Sequence, residues 1–136
     1  MAIATTLAVA AVVALASAFS GHPYPLNTYG LALARVHSST LTEVAAGQDL
    51  VIVANVANNS DNPVAATFAI QVTDRHGFTE SVQFETGTLA SGGEVQVGVW
   101  WEPKISGEYV VDFFVVDDLE SPLLLSEKKS ATFDVA

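Results

Sequence analysis

The chain has no cysteine. Disulfides, thiolate metal sites, iron–sulfur clusters and cysteine nucleophiles are therefore excluded, and the fold stands without covalent staples. It is also short of positive charge: five Lys and Arg against fifteen Asp and Glu, a formal net charge of −10. Nucleic acid and anionic lipid headgroups are poor partners for such a chain. The third shortage is local. No Lys, Arg, Asp or Glu occurs before Arg35, so every formal charge falls in the last three quarters of the sequence. What is present is apolar residues, half of all 136. That share is too high for a disordered tail. The charge asymmetry divides the chain into an uncharged arm and an acidic body.

The arm begins MAIATTLAVAAVVALASAF, polar only at Thr5, Thr6 and Ser17. It has no polar face and is long enough, as a helix, to cross a bilayer. Gly21, Pro23 and Pro25 end it, because proline cannot continue the helical ladder. Three readings compete. A cleaved secretory signal fits Ala16-Ser17-Ala18 as a cleavage site but lacks a basic n-region. A plain membrane anchor fits the length, with only Arg35 nearby to orient it. A helix packed against its own copies fits the small residues at four-residue spacing, Ala4 and Ala8, then Ala10, Ala14 and Ala18, with Ile3, Leu7, Val12 and Leu15 filling the gaps. The third reading is preferred.

From Gly30 onward apolar residues alternate, the period of half-buried strands. Seven strands are expected. They are marked by Leu31 and Leu33; by Leu50, Ile52, Ala54 and Val56; by Phe68, Ile70 and Val72; by Val82 and Phe84, closed by Gly87; by Val95, Val97, Val99 and Trp101; by Tyr109, Val111, Phe113 and Val115; and by Ala131, Phe133 and Val135. The fold class is mainly β: a seven-stranded sandwich preceded by one apolar helix. The expected divisions are a helix over 1–20, a proline-containing linker over 21–29 and a sandwich over 30–136. Its core should contain Ile52, Phe68, Ile70, Trp101, Tyr109, Phe113 and Phe133. Trp100, adjacent to Trp101, must then point outward. Val110, Phe114 and Val116 share the outer face of the sixth strand, a face too apolar for a bare sandwich. Either a partner covers it, or a loop or the linker from Tyr24 to Leu31 folds over it.

Little here reads as chemistry. His22, His37 and His76 show no ligand spacing. No nucleophile elbow or phosphate-binding glycine loop occurs, so no catalytic, cofactor or metal residue is assigned. Asp117, Asp118 and Glu120 form the best acidic cluster for Ca²⁺, although the spacing is not an EF-hand and a solvated loop is the preferred reading. Asn58-Asn59-Ser60 is a glycosylation sequon, making Asn58 a candidate acceptor if the body is extracellular.

The run Trp101-Glu102-Pro103, Gly107-Glu108-Tyr109 and alternating Val111, Phe113, Val115 and Asp117 resembles the immunoglobulin-like domains of archaeal surface proteins. The stretch from Gly87 to Gly93 resembles the turn into their Trp-bearing strand. The resemblance implies a tyrosine corner at Tyr109. An uncharged N-terminal helix joined to such a body is similar to archaeal type IV pilins and archaellins. That likeness implies a structural subunit of an extracellular filament at the cell surface, not an enzyme, whose partners are copies of itself. Its helix would meet membrane only before assembly. The alternative is a membrane-anchored Ig-like module or an accessory subunit of a membrane complex.

Overall fold

A computed structural model describes residues 24–35 and 44–136. The helix expected over 1–20, with its core positions Ile3, Ala4, Leu7, Ala8, Ala10, Val12, Ala14, Leu15 and Ala18, lies outside the described residues, as do His22 and His37.

The described residues form seven strands: β1 (Leu26–Arg35), β2 (Leu50–Asn58), β3 (Val64–Asp74), β4 (Thr79–Leu89), β5 (Glu94–Trp101), β6 (Gly107–Val116) and β7 (Lys129–Val135). They make two antiparallel sheets, β1-β2-β5 and β4-β3-β6-β7. The two sheets enclose one apolar core, the arrangement that alternating strands require when each buries one face.

The alternation holds most cleanly in β2, where Leu50, Ile52, Ala54 and Val56 are all buried while their neighbours are half-exposed. They face Phe68, Ile70, Val72, Val111, Phe113 and Val115 of the other sheet in one cluster. Phe68 and Phe113 stack with ring centroids 6.4 Å apart. Every core residue named from the sequence is buried except Phe133, which is half-buried against the cluster's edge.

Three strands differ from the sequence pattern. β1 starts at Leu26, inside the stretch read as linker, and Leu26 and Thr28 are buried. Its pairing with β2 slips between Tyr29 and Ala32, so two residues, Gly30 and Leu31, face the single Ala54. This bulge inverts the parity: even residues point inward before it and Leu33 after it. Gly30 makes the slip with φ near 69°, and a Cβ there would lie 2.6 Å from the Asn55 amide nitrogen. The fourth strand does not stop at Gly87 but continues to Leu89. Val82 and Phe84 pair beside Gln71 and Ala69 on the outer face of their sheet, not in the main core. As an edge strand, β4 has no inward apolar row of its own until Leu89. In β5, Val95 is left exposed at the strand's start while Val97, Val99 and Trp101 go inward.

Candidate functional site

The surfaces that any partner would meet are the outer faces of the two sheets and the loops at the two poles. Each is built by the strands beneath it.

Residues Phe114 and Val116 of β6 and Ala69 of β3 form a second apolar cluster on the outer face of the four-stranded sheet. The chain covers this cluster itself. Leu124, from the segment between β6 and β7, sits on it, and Tyr24, Val82 and Phe84 pack around it. The covering segment is pinned at several points. Leu125 donates its amide to the Val115 carbonyl at 2.8 Å, and Leu26 donates to the Leu125 carbonyl at 2.9 Å. The buried Thr28 and Ser126 hydroxyls share a hydrogen bond of 2.7 Å. Lys128 lies 5.9 Å from the Phe114 ring centroid, closing one side. Phe114 and Val116, expected as outer contacts, are thus buried within the chain, while Val110 stays half-exposed on the same face. A loop and Tyr24 cover the face, as the alternative reading expects; that Leu124 is the covering residue gives no signal in the sequence pattern.

The acids of this segment work on the loop. Asp117 Oδ1 accepts from the Asp118 and Leu123 amides, each at 2.8 Å. Asp118 Oδ1 accepts from the Glu120 and Ser121 amides at 2.9 and 2.8 Å. This is the local capping that Asp side chains perform in turns. Among the described residues no group of three or more His, Asp or Glu side chains is placed to hold a metal ion.

Asn58 is not the surface acceptor its sequon suggests. Its side chain is 0% exposed. Its amide nitrogen donates to the Asn62 and Leu89 carbonyls at 2.9 and 3.0 Å, and its oxygen accepts from the Ser60 amide and hydroxyl. Both N–H donors and both lone pairs of the amide are thus engaged, closing the turn between β2 and β3 and tying it to the end of β4. A glycan on that nitrogen would displace the bonds that close this pole.

At the opposite pole, Tyr109 forms the corner implied by the resemblance. Its hydroxyl donates to the Ile105 carbonyl at 2.6 Å. Its ring meets Trp101 edge-on at a centroid distance of 5.1 Å. Burial, and then the negative charge of Glu80, push the Tyr109 hydroxyl above its ordinary pKa, with Asp74 adding in the same direction. A shallow cleft of about 200 Å³ opens beside it, lined by Asp74, His76, Glu80 and Glu108 among others. Asp74 Oδ1 accepts from the His76 and Phe78 amides, so this carboxylate too is a turn cap. The exposed His76 ring accepts from Arg75 at 3.3 Å. Nucleophile, base and oxyanion donors do not converge here.

The outer face of the three-stranded sheet is different. Trp100 is 60% exposed, as its adjacency to Trp101 requires. The register places Ala34, Val51 and Trp100 in one row across the sheet, Ala32, Val53 and Gly98 in the next, and Tyr29, Asn55 and Gln96 in a third. None of these nine residues carries a charge. Gln83 of β4 donates to the Trp100 carbonyl at 2.8 Å, capping one acceptor on the free edge of β5. Among the described residues no helix is long and apolar enough to cross a membrane.

No protein-family model matches the chain, and no curated protein matches it. Solved structures do share its fold. The C-terminal domain of Wzt superposes with a TM-score of 0.71 at 9% identity, over 84% of this chain and 75% of that one. A CARDB domain from Pyrococcus furiosus, solved in complex with di-metal ions, gives 0.58 at 15% identity, over 83% of this chain and 92% of that one. A putative β-galactosidase from Bacteroides fragilis gives 0.65 at 12% identity, but the match spans only 18% of that enzyme. At these identities the likeness is one of fold: an Ig-like β-sandwich that serves unrelated proteins.

Proposed function

We propose that the protein is a structural subunit of an extracellular archaeal filament of the type IV pilus kind. In this reading the uncharged arm packs with its copies in the filament core and the sandwich faces solvent. The observation that carries it is the division of labour along the chain. The described residues from Tyr24 onward supply a two-sheet core in which no buried side-chain polar atom lacks a hydrogen-bond partner. That core is built from the body's own strands, and in this reading the apolar residues of 1–19 serve association elsewhere. An unpaired charge in a helical core is costly, and the arm has none. The body's net charge of −10 keeps assembled material soluble. The likeness to archaeal pilins and archaellins supports the same reading. No residue is assigned to catalysis, and the partners are further copies of the chain.

The test is a pair of substitutions in the full chain, Ala10→Asp and Ala10→Leu, scored by electron microscopy and by the intact mass of the product. Both should abolish filaments: the carboxylate would be buried without a partner, and the leucine would separate close-packed helices. Membrane-bound monomers tolerating Ala10→Leu would favour the anchored module instead. A product beginning near Phe19 would mark the arm as a removed signal and overturn the proposal.

A further inference from the structure

The outer face of β1-β2-β5 is the one broad strand surface among the described residues with no charge at its centre. Acids return only at its rim, Glu94 at one end and Asp49 and Glu102 beyond the other. Nothing in the described chain covers it, whereas the other sheet's outer face carries Leu124 and Tyr24. We propose that this face binds a second copy of the same chain, face to face.

Two observations select that occupant. The first is charge. A body of net charge −10 repels its copies wherever acids oppose one another, so two bodies approach at least cost across a surface that has none. A basic partner, the natural complement of this protein elsewhere, finds no carboxylate to pair with at the centre of the face. The second is where the chain enters. Tyr24, the first described residue, packs on the outer face of the opposite sheet. The described chain thus begins on the side of the body away from this face, and no described residue before β1 overlies it.

The relief of the face suits a flat contact with one anchor. Gly98 carries no side chain between Gln96 and Trp100, and Val51 and Val53 close in over it: a Cβ at Gly98 would lie 3.2 and 3.7 Å from their methyl groups, so the valines and the indole make one flat apolar strip. An exposed indole on such a strip is the kind of feature that anchors an interface. Three strands about eight residues long offer roughly 400 Å² per copy. The total is below the ~1,200 Å² of stable complexes, so the contact is weak in dilute solution and gains strength where copies are already held together. It does not depend on polymerisation.

The absence of cysteine makes the test direct. Single-cysteine versions of the full chain are prepared at Gln96, on this face, and at Thr132, exposed on the outer face of β7. Each is concentrated and treated with a short bismaleimide. The Gln96→Cys chain should give severalfold more covalent dimer than the Thr132→Cys chain. Adding Trp100→Glu to Gln96→Cys should return the yield to the Thr132→Cys level, with an unchanged melting temperature showing that the body is intact. Equal yields from the two cysteines, or a yield indifferent to Trp100→Glu, would overturn the proposal. So would a face that holds detergent or lipid instead, seen as Trp100 fluorescence shielded from quencher without any Gln96→Cys dimer. Filament formation is scored separately, so loss of polymer with the dimer retained would count against the pilus reading alone.

Discussion

The two sheets present outer faces of similar apolar character to opposite ends. Over the four-stranded sheet, Phe114 and Val116 disappear beneath Leu124 and Tyr24. Over the three-stranded sheet, Trp100 stands open beside Val51, Val53 and Gly98. The first face is finished by the chain that follows β6; among the described residues no such segment crosses the second, since β5 leads at once into the Tyr109 corner. An apolar residue on a strand's outer row is thus not by itself a sign of a partner. What matters is whether a later stretch of the same chain returns over it, and that is a long-range fact.

The sharpest way to break this comparison is to shorten the same kind of side chain on the covered face. Phe114 is buried, so Phe114→Ala should destabilise the body by about 3–5 kcal/mol, through lost burial and the cavity left under Leu124. Chemical denaturation followed by circular dichroism measures it. A cost near zero would mean that the cover is loose and that both faces are open.

The next effect is smaller and tests what holds the cover down. Ser126→Ala leaves the Thr28 hydroxyl buried without its partner, a loss of about 1–3 kcal/mol. Amide exchange should quicken at Leu123 and Leu125, whose donated bonds tie the segment to Asp117 and Val115. If exchange quickened uniformly across the body instead, the segment would be part of the main cooperative unit and not a separate cover.

These residues also show where sequence reading succeeds and where it stops. Trp101 inward, Trp100 outward and the Tyr109 corner follow from strand parity and from one short motif, both local. Leu33 in the core with Leu31 packed against it also followed, but the start of β1 at Leu26 did not, because the bulge at Gly30 inverts the parity and a bulge leaves little trace beyond one glycine. Leu124 carries no periodic signal, so the cover on Phe114 was legible only as a surplus of apolar residues in β6. Asp117, Asp118 and Asn58 have the composition of ligands or acceptors, yet their atoms are spent on groups of the chain itself, one to thirty-one residues away. Sequence lists such groups but does not say which are already engaged. Of the candidate surfaces, the charge-free face became visible only once the register aligned β1, β2 and β5.

A third prediction concerns the core that both faces share. Tyr109→Phe keeps the ring against Trp101 and removes the bond to the Ile105 carbonyl, costing about 0.5–1.5 kcal/mol near neutral pH. The pH dependence has a definite sign. The folded-state pKa of Tyr109 is raised above its unfolded value near 10, so its contribution is fully present below that value. It is lost as pH rises through the folded-state pKa, where folding would have to hold a buried phenolate. The wild type should therefore lose stability above about pH 10 more steeply than Tyr109→Phe. Parallel curves would place the hydroxyl in water and dissolve the corner.

The smallest expected effect is the one that sharpens the comparison most. Trp100→Ala removes one of the largest side chains in the protein from the open face. The buried Trp101 and Phe114, truncated in the same way, should each cost several kcal/mol, because each fills space that nothing else can fill. Trp100 fills no such space. It is 60% exposed, its backbone carbonyl keeps the bond from Gln83 whatever the side chain, and its row contains only Ala34 and Val51. The change in unfolding free energy should stay within about 0.5 kcal/mol, the range of ordinary surface substitutions. Measured on dilute protein, that near-zero value would set Trp100 apart from the buried aromatics of the two sheets, Phe68, Trp101, Tyr109, Phe113 and Phe114. A loss of 2 kcal/mol or more (roughly the cost of an emptied core site) would mean that the indole is packed against the body after all, and that the three-stranded sheet, like its partner, is covered from within.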